Sequence, residues 1–345
     1  MSDAMDFTRG FCFAYGGPAI SGIFKSKFED FIVEEELGYE LSGEGEHLYL
    51  YIEKKDQNTG YIQQRLAQYY AVPMKSVSYC GLKDRQAVTR QWFSVHLPGK
   101  KNDEVEGFND ELTTVLKHHR HNRKLRLGAH KHNRFIIVLR DIQGDRERAE
   151  QQLHRIANDG VPNYFGSQRF GRDRGNLALA CDLFAGRHLK KRLRSIAISS
   201  ARSYVFNCVL DERIKRHNWD QWLDGDVVSL SGCNSFFVPP TMDAQLAQRL
   251  TEHDVHLTAP LWGRGELPSK GEPAAIESQV GQEFAGLTQG LETIGLDQQR
   301  RAMRMSVADL AWQFEDDCLS LSFNLASGCF ATALLREVIK ADKPL

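Results

Sequence analysis

The chain has 345 residues, with 44 Lys or Arg against 45 Asp or Glu and a formal net charge of −1, a length that suits two domains each burying its own core. No window approaches the roughly 18 apolar residues of a membrane span, and Met1 to Gly10 carries two Asp and no apolar stretch of the kind that directs export. The seven cysteines are odd in number, scattered and never spaced Cys-x-x-Cys, which argues against a disulfide framework or a zinc site and for a reduced cytoplasm.

The near-neutral total conceals a segregation of charge. Residues 1–57 hold five Lys or Arg against twelve Asp or Glu; residues 117–142 hold eight against one, with five histidines; residues 164–218 hold twelve against four. Two strongly basic segments suit a polyanionic partner, although charge runs are also ordinary solvated faces.

In chain order, Ile20 to Leu37 reads as one or two short strands, with Lys25 a surface lysine and Phe31 a core phenylalanine on spacing alone. After the turn at Gly43-Glu44-Gly45, His47 to Lys54 alternates Leu48, Leu50 and Ile52 with Tyr49, Tyr51 and Glu53, the pattern of a strand. Asn58 or Thr59 caps a predicted helix with Ile62, Leu66 and Tyr69 on one face, and Pro73 lies past its end. Val77 to Cys80 and Gln91 to Leu97 then read as paired strands. The polar turn between them hangs Asp84 between Lys83 and Arg85 at the end of a sheet. A carboxylate among cations suits a nucleophile; it also suits a solvated turn.

Residues 98–103 read as a loop. The basic, histidine-rich run His118 to Gly128 reads as a phosphate-facing loop, since neighbouring Arg and Lys oppose metal binding by His118, His119 and His121. Asn133 to Arg140 is an apolar strand, and Asp145 caps a helix ended by Gly160. Val161 to Gly175 interleaves aromatic rings with Arg, Gln and Gly; this suits either stacking on single-stranded nucleic acid or a loop pinned by its own rings. Helix is expected over 176–218 with Asn176 as cap, short strands at Val227 to Leu230 and Phe236 to Val238, and a helix near Asp243 to His253. A surface loop over Pro260 to Pro273, helix over Ala274 to Ile294, a hairpin of Leu310–Phe314 with Cys318–Leu325, and a helix after Phe330 complete the reading. If the late strands rejoin the early sheet, the middle region is an insertion.

Four stretches carry a resemblance: Lys25 to Phe31; Gly81-Leu82-Lys83-Asp84 with Ala87, Thr89 and Gln91; Asn163 to Gly171; and Phe330-Ala331-Thr332 with Arg336-Glu337. Together, and in this order, they resemble the TruD family of tRNA pseudouridine synthases. The resemblance implies an α+β fold: a pseudouridine synthase catalytic domain with an antiparallel mixed sheet and helices, residues 1–158 plus 305–345, interrupted by a family-specific α/β insertion over 159–304. It implies isomerisation of uridine 13 in the D arm of tRNA to pseudouridine, on a uridine flipped from its stack. No redox change or energy input is needed, so no cofactor is implied, and a monomeric enzyme with tRNA as its partner is expected. Asp84 matches the family's catalytic aspartate, adding covalently to ribose or base or removing a sugar proton. Lys25 matches a family lysine near the active site and is the candidate for holding Asp84 ionised. Phe31, Asn133 and Phe330 match substrate-contact positions. Phe135 falls where other pseudouridine synthase families carry a tyrosine, so it offers a stacking ring without a phenol.

The rival reading is a non-catalytic RNA-binding or RNA-folding protein built on the same basic segments. A carboxylate glycoside hydrolase requires a second acid at a defined distance, and Lys83 and Arg85 are the wrong neighbours for that pair.

Overall fold

The computed structural model describes residues 7, 10–99, 103–233 and 235–342. The first part of the chain forms β1 (Ile20–Phe24), β2 (Phe31–Leu37), β3 (His47–Lys55), helix α1 (Thr59–Tyr69), β4 (Val77–Tyr79), β5 (Val88–His96), β6 (Thr113–His121), β7 (His130–Gly144) and helix α2 (Arg146–Asp159). Next come β8 (Val161–Pro162), α3 (Gly175–Phe184), α4 (Lys191–Lys215), β9 (Val228–Leu230), β10 (Phe236–Phe237) and α5 (Ala244–Thr251). They are followed by β11 (Val255–Leu261), α6 (Gly271–Glu283), α7 (Ala285–Thr293), β12 (Gln299–Ala302) and β13 (Arg304–Met305). The last elements are β14 (Ala308–Glu315), β15 (Cys318–Ala326), α8 (Ala331–Val338) and β16 (Ile339–Ala341).

Ten strands make one sheet, ordered β14-β15-β7-β2-β5-β3-β6, with β1 beside β7, β16 beside β1 and β4 beside β5. Among the described residues only β2 with β5 and β1 with β16 run parallel in this sheet, so the fold is α+β around a mixed, mainly antiparallel sheet. The late strands β14 and β15 rejoin the early sheet through β7. Between β7 and β14 the chain makes a second sheet, β10-β9-β11-β12, and β8 pairs with β13 where the two crossing segments meet.

The long central strand β7 places the site. Side chains two apart share a face, and Asn133, Phe135, Ile137 and Leu139 are all buried. Pairing sets Val33 of β2 and Phe323 of β15 opposite Phe135, and Glu35 and Leu325 opposite Asn133. An apolar core runs from this face through Leu153 of α2 and Leu334 of α8 to Tyr204 of α4 and Leu257 of β11. A second cluster packs Ile62 and Leu66 of α1 on Leu50, Phe93 and Val95.

The structure departs from the sequence expectations at several elements. His118 to His121 end the edge strand β6 rather than opening a loop. Asn176 lies inside α3, whose N-cap is Arg174, and its side chain instead donates to the Arg169 carbonyl. The surface loop expected over Pro260 to Pro273 begins inside β11 and ends inside α6. Pro260 is tolerated there because it lies in the half of β11 laddered only to β12, so its missing N–H costs no second bond. The rings of Tyr164, Phe165 and Phe170 are buried against Phe11, Phe206 and Tyr204, so that segment is pinned by its own aromatics. Lys100 to Asn102 of the predicted 98–103 loop, and most of Met1 to Gly10, lie outside the described residues.

Candidate active site

The Asp84 loop, residues 80–87, is held from beneath by side chains that strand and helix supply. Gln91 of β5 donates to the Gly81 carbonyl at 3.1 Å and accepts from the Thr59 hydroxyl at 2.9 Å. The same hydroxyl accepts the Lys83 N–H at 3.0 Å. Lys54 of β3, wholly buried, donates to the carbonyls of Gln57 at 2.7 Å and Asp84 at 3.3 Å. Burial pushes the Lys54 ammonium down to about 8, a fall only partly countered by the Asp84 charge. Thr59 therefore serves the loop, and the Asn58 side chain makes no cap bond.

The cation facing Asp84 is distant in sequence. Lys25 Nζ lies 2.7 Å from Asp84 Oδ2, across the face of the Phe31 ring at 3.9 Å from its centroid. Lys25 sits at φ 57°, a left-handed conformation uncommon outside glycine, directly after β1. The adjacent cations, expected to flank the carboxylate, turn away. Arg85 pairs with Asp56 at 2.9 Å, and Lys83 points into the protein, where its Nζ lies 2.8 Å from Glu35 Oε2 and donates to Asn133 Oδ1.

Asp84 opens onto a cavity of about 360 Å³ lined by Phe31, Phe135 and Phe330, with Asn133, Lys83 and Leu82. Phe135 is stacked on Phe323 with centroids 5.4 Å apart and tilts against Phe31 at 6.0 Å. The far wall comes from elsewhere in the chain: Gly166, Gln168 and Arg169 from the segment after β8, and Ser327 to Thr332 from the entry to α8. Five of the six residues singled out by sequence thus line one cavity; the sixth, Lys25, reaches its Asp84 edge through the ion pair. An aromatic-walled space with one carboxylate at its mouth can hold a planar ring against a nucleophile or base.

The polar side of the cavity belongs to a buried cluster that sequence reasoning missed. Asn133 Nδ2 donates to His130 Nε2 at 3.1 Å, while Asn133 Oδ1 accepts from Lys83. Potential donor atoms of Glu35, Cys80 and His130 lie within 4.8 Å of one another. Their electrostatics do not favour a cation: Lys83 already neutralises Glu35, burial and the nearby Glu35 charge push the Cys80 thiol up, and burial with Lys83 pushes His130 down. The signal that could have found the cluster is the alternation Phe31, Val33, Glu35, which puts a carboxylate on the inward face of β2 and demands a buried partner.

The model of the family described as tRNA pseudouridine synthase D (TruD) matches residues 10–183 and 182–338. A protein of Pseudoalteromonas atlantica named tRNA pseudouridine synthase D is 42% identical over 331 residues, covering 94% of this chain and 94% of its own. One of Nitrosococcus oceani with the same name is 44% identical over 337 residues, covering 96% and 94%. A crystal structure of a TruD protein from Methanosarcina mazei superposes with a TM-score of 0.73 at 21% identity, over 95% of each chain, and shares the fold. The chain belongs to the TruD family.

Proposed function

We propose that the chain is a tRNA pseudouridine synthase that converts uridine 13 of the D arm to pseudouridine, with Asp84 as its catalytic carboxylate. The observation that carries this reading is the Asp84–Lys25 pair at the mouth of a cavity walled by Phe31, Phe135 and Phe330; names of relatives such as the Pseudoalteromonas protein support the tRNA substrate. In this reading the target uridine leaves its stack, at a cost of a few kcal/mol that new contacts with the rings offset. Asp84 acts at the sugar or base, the N1–C1′ bond breaks, the uracil turns within the cavity, and C5 bonds to C1′. The C5 proton is then lost and N1 regains one, so the product is an isomer. Lys25 fixes the carboxylate and balances its charge. Asn133, with its amide oriented by Lys83 and His130, presents its remaining polar capacity to the uracil edge. The catalytic unit is residues 1–158 with 305–345, residues 159–304 are the inserted unit, and the enzyme works as a cytoplasmic monomer without cofactor.

Tritium release from a tRNA transcript carrying 5-tritiated uridine tests the reading. Asp84→Ala is expected to lower release at least about a thousandfold while tRNA binding persists. Undiminished release would overturn the assignment. A chain that binds tRNA yet yields no pseudouridine at any position would instead favour the RNA-binding reading.

A further inference from the structure

Some arginines of this protein are neutralised by carboxylates and others are not. Two almost wholly buried arginines are each accompanied by a carboxylate: Arg213 lies 2.8 Å from Asp226 and Arg300 lies 2.7 Å from Glu277. Arg169, Arg202 and Arg301 are partly buried, and none has a carboxylate partner among the described residues. Arg169 donates to the Ser199 hydroxyl at 3.1 Å and Arg301 to Asn163 Oδ1 at 2.6 Å, while Arg202 donates to the carbonyls of Leu261 and Asp297 at 2.7 and 3.0 Å. The Nε atoms of Arg202 and Arg301 are buried without a hydrogen-bond partner. Arg169 and Arg301 both lie against the Phe165 ring, 5.2 and 4.2 Å from its centroid, so two like charges share one small region. Burial pushes all three guanidinium groups down, Arg301 to about 10 with Arg169 adding to the fall. An uncompensated buried cation is costly, and a set of three calls for an external anion.

The surroundings say what kind. Arg202 lines a groove of about 470 Å³ with Lys191, Arg194, Ser195 and Ser199, and no acidic residue lines it among the described residues. Ser199 accepts from Arg169, which lines the Asp84 cavity, so one hydrogen bond joins the wall of the groove to the wall of the cavity. Guanidinium groups and hydroxyls without carboxylates match phosphate oxygens. Resting on the RNA-modifying function proposed above, we propose that Arg169, Arg202 and Arg301 form a phosphate clamp that holds the backbone of the strand leading into the Asp84 cavity.

The test is the salt dependence of binding by the D84N chain to a fluorescein-labelled bacterial tRNA transcript. Each of R202Q, R301Q and R169Q is expected to lower the slope of log Kd against log salt by about 0.7 to 0.9. R202K, which keeps the charge, retains the parental slope, and so does R249Q, whose arginine pairs with Asp254 on the surface. Because Arg202 also bonds two carbonyls, R169Q, which gives up one side-chain hydrogen bond and its place over the Phe165 and Phe330 rings, guards against an effect of misfolding. Parental affinity and slope in R202Q and R169Q would overturn the clamp. Turnover of the same transcript by the Asp84-bearing chain separates the two proposals: altered slopes without turnover support the clamp and sink the isomerase, whereas turnover with unaltered slopes sinks the clamp alone.

Discussion

Lys25 and Lys83 both approach the Asp84 loop, and their surroundings give them opposite tasks. Lys83 and Glu35 are almost wholly buried, with side chains 7% and 0% exposed. Lys83→Met strands the Glu35 charge and is expected to cost about 3–5 kcal/mol in urea unfolding, most of it restored when Glu35→Leu is added. Lys25 and Asp84 are more open, so Lys25→Met is expected to change stability by less than about 1 kcal/mol yet to lower turnover at least about tenfold, read as kcat in the tritium assay beside a melting curve. Asp84 and its loop motif were legible in the sequence. Which lysine meets which acid was not, because that depends on the register of β2 against β7 and on the left-handed turn at Lys25, which no local pattern encodes.

At the scale of elements, strands with clean alternation such as β3 and β5 were readable, and helices with a cap and one apolar face, such as α2, were readable too. The strand β11 was not: six of its seven residues are buried, so it lacks a solvent-facing alternation, and Pro260 marks it falsely as loop. Its His256 is also buried, and burial with the neighbouring His253 and Arg304 pushes its imidazole down to about 4 from an ordinary 6.5. The unfolded chain therefore binds the extra proton between those values. The stabilisation is complete above about pH 6.5 and is lost as pH falls towards 4, by up to about 3 kcal/mol. Unfolding at pH 7.5 and pH 5 is expected to show this slope, reduced in His256→Asn. Helix packing gives a second expectation. A Cβ at Gly290 of α7 would lie 2.2 Å from Cγ of Phe184 at the end of α3, so Gly290→Ala is expected to cost about 1–3 kcal/mol in thermal or urea unfolding.

For the whole molecule, the near-neutral net charge hides where each sign of charge is placed. The basic segment 164–218 contains both the groove-facing turns of α4 and Arg169, while the acidic early segment supplies the carboxylates that pair within the large sheet, Glu34 and Glu53 with Arg90 among them. The aromatic run after Pro162 was ambiguous from sequence because rings that stack on a base and rings that anchor a loop have the same composition; only packing against Tyr204 and Phe206 separates them.

The pairing of β1 with β16 has a bearing on how the protein is made. Glu337 of α8 accepts the N–H of Ala14, 323 residues earlier, and Phe330 and Thr332 complete the wall opposite Asp84. During synthesis β2, β3 and β5 can pair soon after they emerge, but β7 keeps one edge uncovered until β15 arrives, and the far wall of the cavity is incomplete until α8 is released. A nascent chain halted before Phe330 thus holds Asp84 with no closed pocket beside it. Catalytic competence would be acquired only as the last helix docks, and the waiting edge of β7 would be the surface most in need of protection on the ribosome.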